Sequence, residues 1–242
     1  MDFPLFFAIL NLILLARLRL TFRDSGATAA DLIILALVPP LILPFLQTNT
    51  SWFILLAYLL IAPGLTYLSE RRTVNLNRNR ALLLLFHIVA AGLLTSGYAG
   101  LQPGPLIRDL EQLILGNFLN VDSVNWLGVQ VFGFGLLLII NEMNIIIRYL
   151  MEVMNLKPLP MEVSGFDEQD YNTGRVIGML ERIFIYILIL AGQFTAVGFI
   201  LTAKGIIRYP ELKNKTFAEY VLIGTLLSAL AALVTALFVG SF

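Results

Sequence analysis

The polar residues with the most regular spacing in this chain are Asn141, Asn144, Arg148 and Asn155, with Met151 in the same register. A three-four spacing places all of them on one face of a helix. The residues between them are Ile, Met, Leu, Val and Tyr for the most part. Amides and a guanidinium at bilayer depth face a bundle interior, a water-filled cavity or an oligomer axis. Upstream the same phase passes through Phe134 and Leu137 to Gln130, and Glu142 lies beside the seam. Gln130, Asn141, Glu142, Asn144 and Arg148 are therefore the candidate lining of a polar path. Its chemistry would be the binding and passage of a polar solute. The competing reading ends the apolar part near Ile140 and makes the rest a solvated extension.

Other polar groups border the apolar runs. Glu181 and Arg182 stand at the start of one run, where they are expected to pair with each other at the interface. Gln193 falls in the middle of that run and is expected to hydrogen-bond to another helix. Lys204 and Arg208 lie four residues apart in a basic connection and can engage one lipid phosphate.

Bond-making chemistry has little to work with. The sequence contains no phosphate-binding glycine loop, no His–Glu metal pair and no nucleophile turn of the GxS type. The single histidine, His87, cannot build a multi-histidine site, so packing or a hydrogen bond is expected of it. The acidic stretch FDEQDYNTG lacks the glycine and terminal glutamate of a calcium loop. With no cysteine there is no thiolate chemistry. No catalytic residue, metal or cofactor is expected, and zero net charge implies no nucleic-acid partner.

The elements that must position the polar seam are membrane helices. Of 242 residues, 58% are hydrophobic and 13% charged, against about 25% charged in soluble domains. Backbone groups in lipid must be satisfied internally. The apolar runs are continuous rather than alternating, which selects helices over a barrel. The expectation is an all-α, polytopic transmembrane bundle of about seven spans, forming a single integral domain over residues 1–242. The spans are expected near 3–20, 30–46, 52–68, 81–98, 124–155, 183–201 and 221–239. Six result if the fifth does not cross. Arg17 and Arg19 are expected to snorkel from the first span to the interface. Pro39, Pro40 and Pro44 should kink or break the second. A loop with four arginines follows at 69–80, a surface helix at about 106–119 and a mobile acidic loop at about 157–173.

The last run carries Gly224, Ser228, Ala232, Ala236 and Gly240, one small residue every four. On a helix they form a nearly straight stripe that lets another helix approach to backbone contact. They are the expected helix-packing residues, within the chain or at an oligomer interface.

One stretch resembles a known family. Its residues are Gly174, Arg175, Gly178, Leu180, Glu181 and Arg182, then Gly192, Gln193, Ala196, Gly198, Phe199, Ala203, Lys204, Arg208, Glu211 and Lys213. Glu219, Tyr220, Gly224, Thr225 and Ser228 complete it. Over about Gly174–Ser228 the chain is similar to the C-terminal part of an uncharacterised bacterial multi-pass membrane family, a domain of unknown function sometimes encoded beside a SatD-type regulator. Members carry an early His, Asp and Gln in the first helix, where this chain reads LNLILLARLRLTFRDSG without a histidine. The resemblance implies a bacterial inner-membrane protein and lends no activity.

Three functions fit these features. The first is an oligomeric channel or transporter with the seam as its path. The second is a membrane scaffold or accessory subunit that binds partner helices through the small-residue stripe. The third, an intramembrane lipid enzyme, has no visible nucleophile or metal set. The expected partners are the lipid bilayer and either further copies of the chain or partner membrane helices.

Overall fold

The computed structural model describes residues 2–71, 75–106, 125–156, 168–209 and 215–242. They form eight helices: α1 (Phe3–Arg17), α2 (Ala29–Leu37), α3 (Thr50–Glu70), α4 (Leu76–Leu94), α5 (Trp126–Val153), α6 (Glu168–Leu190), α7 (Phe194–Arg208) and α8 (Lys215–Val239). Four helical segments are long and apolar enough to cross a membrane: Phe3–Leu20, Thr50–Glu70, Trp126–Val153 and Ala218–Val239. This corrects the expected seven.

The physical reasons are local. The prolines turn the second run from α2 into a 3₁₀ segment, Pro39–Phe45, so the two pieces together stay short. Proline removes the amide an α-helix needs and crowds the preceding turn. The sixth run is divided at Ala191–Gln193. Gly192 adopts φ +70° there, a left-handed conformation that glycine enters without a Cβ clash. The amide of Gln193 returns to the carbonyl of Leu188 at 2.7 Å, closing α6 in a Schellman-type turn. Gln193 is thus exposed at a turn and not in mid-span. Lys204 likewise lies within α7 and not in a connecting loop. The surface helix expected at 106–119 lies, beyond Leu106, outside the described residues. So does the acidic loop as far as residue 167, while residues 168–173 already belong to α6.

The chain clusters into two compact units, Met1–Leu137 and Leu138–Phe242. In unit 1, α1 is apolar all round and buries Leu5, Phe7, Ile9, Leu10, Ile13 and Leu14. A helix of that kind is a central one. The first half of α5 runs antiparallel to it, with Phe134 against Phe7 (ring centroids 5.3 Å apart) and the carbonyl of Gln130 accepting from Asn11 Nδ2 at 2.9 Å. At the α1 N-terminus the Asp2 amide donates to the Thr95 carbonyl at 3.0 Å, and at the α3 N-terminus Asn49 Nδ2 donates to the Gly100 carbonyl at 2.7 Å. In unit 2, α8 packs along α6 and against the second half of α5.

Candidate functional site

Buried charge occurs in both units. In unit 1 it gathers where α1 and α3 end and α4 begins. Arg80 is 2% exposed, and every guanidinium N–H finds an acceptor. Nε and Nη2 reach the two carboxylate oxygens of Glu70 at 2.9 and 3.0 Å. Nη1 donates to the carbonyls of Leu20 and Arg23, and Nη2 also to that of Ser25. The Arg80 carbonyl accepts from Arg17 Nη2 at 3.2 Å. Arg17 is therefore buried and does not snorkel, because the backbone of α4 gives it an acceptor inside the protein. Gly26 lets the neighbouring turn close over this end, since a Cβ there would stand 2.8 Å from the Glu70 carbonyl oxygen. Bidentate geometry and full donor satisfaction make this a structural clamp.

Two further polar groups support unit 1. Asp31 receives the amide and hydroxyl of Thr28 at 2.9 and 2.7 Å, and Arg23 at 2.9 Å. Burial opposes ionisation of the Asp31 carboxyl. The Thr28 hydrogen bonds and the charges of Arg23 and Arg19 outweigh it and hold the group below its ordinary value. His87 is fully buried, and its Nδ1 lies 2.6 Å from the Tyr58 hydroxyl. This meets the expectation of a hydrogen bond for that residue.

Unit 2 is built differently. Its first turn, Leu138–Glu142, is a π-helix inside α5. A π turn inserts one residue, shifts the helical phase and loosens the carbonyl ladder; such turns recur at functional sites. Here the Ile139 carbonyl accepts from Arg182 Nε of α6 at 3.3 Å. Arg182 Nη1 reaches the Ser228 hydroxyl of α8 at 3.3 Å. Gly178, one turn before Arg182 on α6, lies beside Nη1: a Cβ there would meet it at 3.8 Å, an ordinary contact. Asn141 and Glu142 are both fully buried, and Asn141 Nδ2 donates to Glu142 Oε1 at 2.8 Å.

Arg182 itself is 4% exposed, and its Nη2 has no hydrogen-bond partner. Among the described residues no carboxylate reaches it within ion-pair distance. The expected Glu181–Arg182 pair does not form. Adjacent helical residues point about 100° apart, so Glu181 turns toward α7 and pairs with Lys204 while Arg182 turns inward. Burying an ion without a partner costs several kcal/mol even after relaxation, roughly 3–5 kcal/mol when a partner is removed.

The other seam residues are dispersed. Asn144 is half-buried with Nδ2 lacking a hydrogen-bond partner, and Arg148 is half-buried. Gln130 belongs to unit 1, where its Oε1 is buried without a hydrogen-bond partner. Asn155 leaves the seam: α5 ends at Val153, and Asn155 is exposed with φ +58° in the turn that follows. On the small-residue stripe, Ala232 and Ala236 are 0% and 1% exposed within this single chain. Gly224 and Ser228 are half-buried and Gly240 is exposed. Lys204 lines a groove of about 120 Å³ with Leu201, Gly205, Ala218, Val221, Leu222 and Thr225. Arg208 closes α7, and its side chain is outside the described residues.

The Arg80–Glu70 clamp was hidden inside the arginine-rich segment read as a loop. The one available signal was a Glu and an Arg ten residues apart across the turn between two apolar helices. Likewise, Arg182 and Ser228 are 46 residues apart, and their meeting has no local signature.

The fold and these clusters define a helical protein with four candidate transmembrane helices, the class of a membrane protein. No protein-family model, curated protein or solved structure matches the chain. No group of three or more His, Cys, Asp or Glu that could hold a metal ion occurs among the described residues.

Proposed function

We propose that this chain is a multi-pass membrane protein of the transport type, in which unit 2 receives a polar solute at the π turn of α5. The observation that carries this reading is Arg182, buried against the Ile139 carbonyl and the Ser228 hydroxyl with an open donor and, among the described residues, no carboxylate within ion-pair distance. Arg182 sits on α6, outside the four candidate spans, but its partners Ile139 and Ser228 lie in two of them. Ionisable groups brought among apolar spanning helices are expensive, and solute pathways are where they recur. The stretch that resembles the bacterial multi-pass family contains Arg182 and Ser228, and on that resemblance we place the protein in a bacterial inner membrane. The scaffold reading loses support because the centre of its stripe, Ala232 and Ala236, is already covered within the chain.

The test is flux through the purified protein in liposomes, using a panel of small cations, anions and neutral solutes. Wild type should pass at least one of them above protein-free vesicles. Arg182→Met should abolish that flux while the helical content stays unchanged. A wild-type rate equal to that of empty vesicles for every solute overturns the proposal, and so does an Arg182→Met rate equal to wild type.

A further inference from the structure

Resting on the transport reading, we propose that the solute of unit 2 carries an oxyanion, a carboxylate or phosphate oxygen, that binds Arg182 at its Nη2 edge. A guanidinium only donates, and it cannot shed its charge under ordinary conditions. Its Nε and Nη1 are held by the Ile139 carbonyl and the Ser228 hydroxyl. Those two anchors come from α5 and α8, so the plane of the group is fixed from two sides. Nη2 is left buried and unbonded.

The acids near it are engaged elsewhere. Glu181 pairs with Lys204 and acts on Arg182 only as a neighbouring charge without a hydrogen bond, and Glu142 accepts from Asn141. A cation or an apolar solute would leave Nη2 without an acceptor, and Glu181 offsets the charge only at a distance. An oxyanion supplies the missing acceptor and places a countercharge in direct contact. The chain itself shows the completed form: Glu70 does for Arg80 what the ligand would do for Arg182.

The oxygen could come from a soluble anion or from a lipid headgroup, and one experiment separates them. The full-length protein, washed free of co-purified lipid in detergent, is unfolded thermally in sodium phosphate, sodium acetate and sodium chloride at equal ionic strength. Phosphate or acetate should raise the midpoint saturably over chloride, as expected when a ligand binds only the folded state. The rise should vanish in Arg182→Met and persist in the control Lys215→Met, which removes an exposed cation far from Arg182 in the sequence. Ser228→Ala, which keeps the charge and loses one anchor, should weaken the half-saturating concentration roughly fivefold. It also serves if Arg182→Met does not fold.

In phosphatidylcholine nanodiscs a soluble anion keeps its effect. A headgroup site would instead show stabilisation on adding phosphatidylglycerol, again lost in Arg182→Met. No anion-specific shift from any of these probes overturns the proposal, with Nη2 then met by water alone, and an equal shift in Arg182→Met does the same. Anion binding without flux would sink the transport reading and leave this site standing. Flux of a cation or neutral solute that Arg182→Met leaves unchanged, without any anion shift, would sink both assignments to Arg182 and leave transport elsewhere in the chain.

Discussion

Arg80 in unit 1 and Arg182 in unit 2 are buried to nearly the same depth, 2% and 4% exposed, and are surrounded in opposite ways. Around Arg80 the chain supplies a bidentate carboxylate and carbonyls from three residues, so no N–H is idle. Around Arg182 it supplies one carbonyl, one hydroxyl and, among the described residues, no carboxylate within ion-pair distance. The first arrangement locks three helix ends together. The second holds a charged group in a fixed orientation and leaves it incomplete. Burial alone therefore does not tell how completely an arginine is served. The inventory of satisfied donors does.

The contrast is broken most directly at Glu70. Glu70→Ala should cost about 3–5 kcal/mol, because it strands Arg80 as a buried, unpaired charge. Thermal or denaturant unfolding in detergent would read this loss. A variant as stable as wild type would mean that Arg80 is no better served than Arg182.

A smaller loss is expected in unit 2 from packing rather than charge. Ala232→Leu should destabilise by about 1–3 kcal/mol, since that position is fully covered within the chain and added methylenes must displace neighbours. Gly224→Ala should be nearly neutral by the same measurement. Its new Cβ would meet only the flexible end of Met151, at 3.5 Å. Equal losses at both positions would show that the whole stripe is packed to backbone contact.

Unit 1 should also be the acid-sensitive one through Asp31. Its folded value is depressed, so its contribution is full above the ordinary carboxylate value and fades as pH falls through the depressed one. Asp31→Asn keeps an oxygen for the Thr28 amide but removes the charge that faces Arg23 and Arg19. It should cost about 1 kcal/mol near neutral pH and should flatten the acid limb of the stability–pH curve. An unchanged acid limb would assign that sensitivity to other carboxylates.

The smallest effect on stability is expected at Arg182. In the absence of a ligand Arg182→Met should fall within about 1 kcal/mol of wild type or above it, because it removes a buried charge that the chain does not neutralise. A loss as large as that of Glu70→Ala would show that Arg182 is a clamp after all.

Much of the local architecture was legible in the residues. Continuous apolar runs required helices, because lipid offers the backbone no partner. Pro39, Pro40 and Pro44 announced the broken second run, since proline lacks an amide wherever the chain goes. The spacing of Asn141, Asn144, Arg148 and Asn155 suggested one polar face, but the π turn shifts the phase at Asn141 and Asn155 lies past the end of α5. Hydropathy overcounted the spans because it averages across breaks: a single left-handed Gly192 divides a run whose composition stays apolar throughout.

The partners of the charges were decided by the tertiary structure alone. Sequence adjacency suggested Glu181 for Arg182, but helical rotation sends the two to different neighbours. Arg80 looked like one arginine of a basic loop until three helix ends enclosed it. A side chain's type states what it can donate, and that much is written in the sequence. Whether an acceptor stands within 3 Å depends on helices dozens of residues apart, so only the folded chain reveals that Arg80 is complete and Arg182 is not.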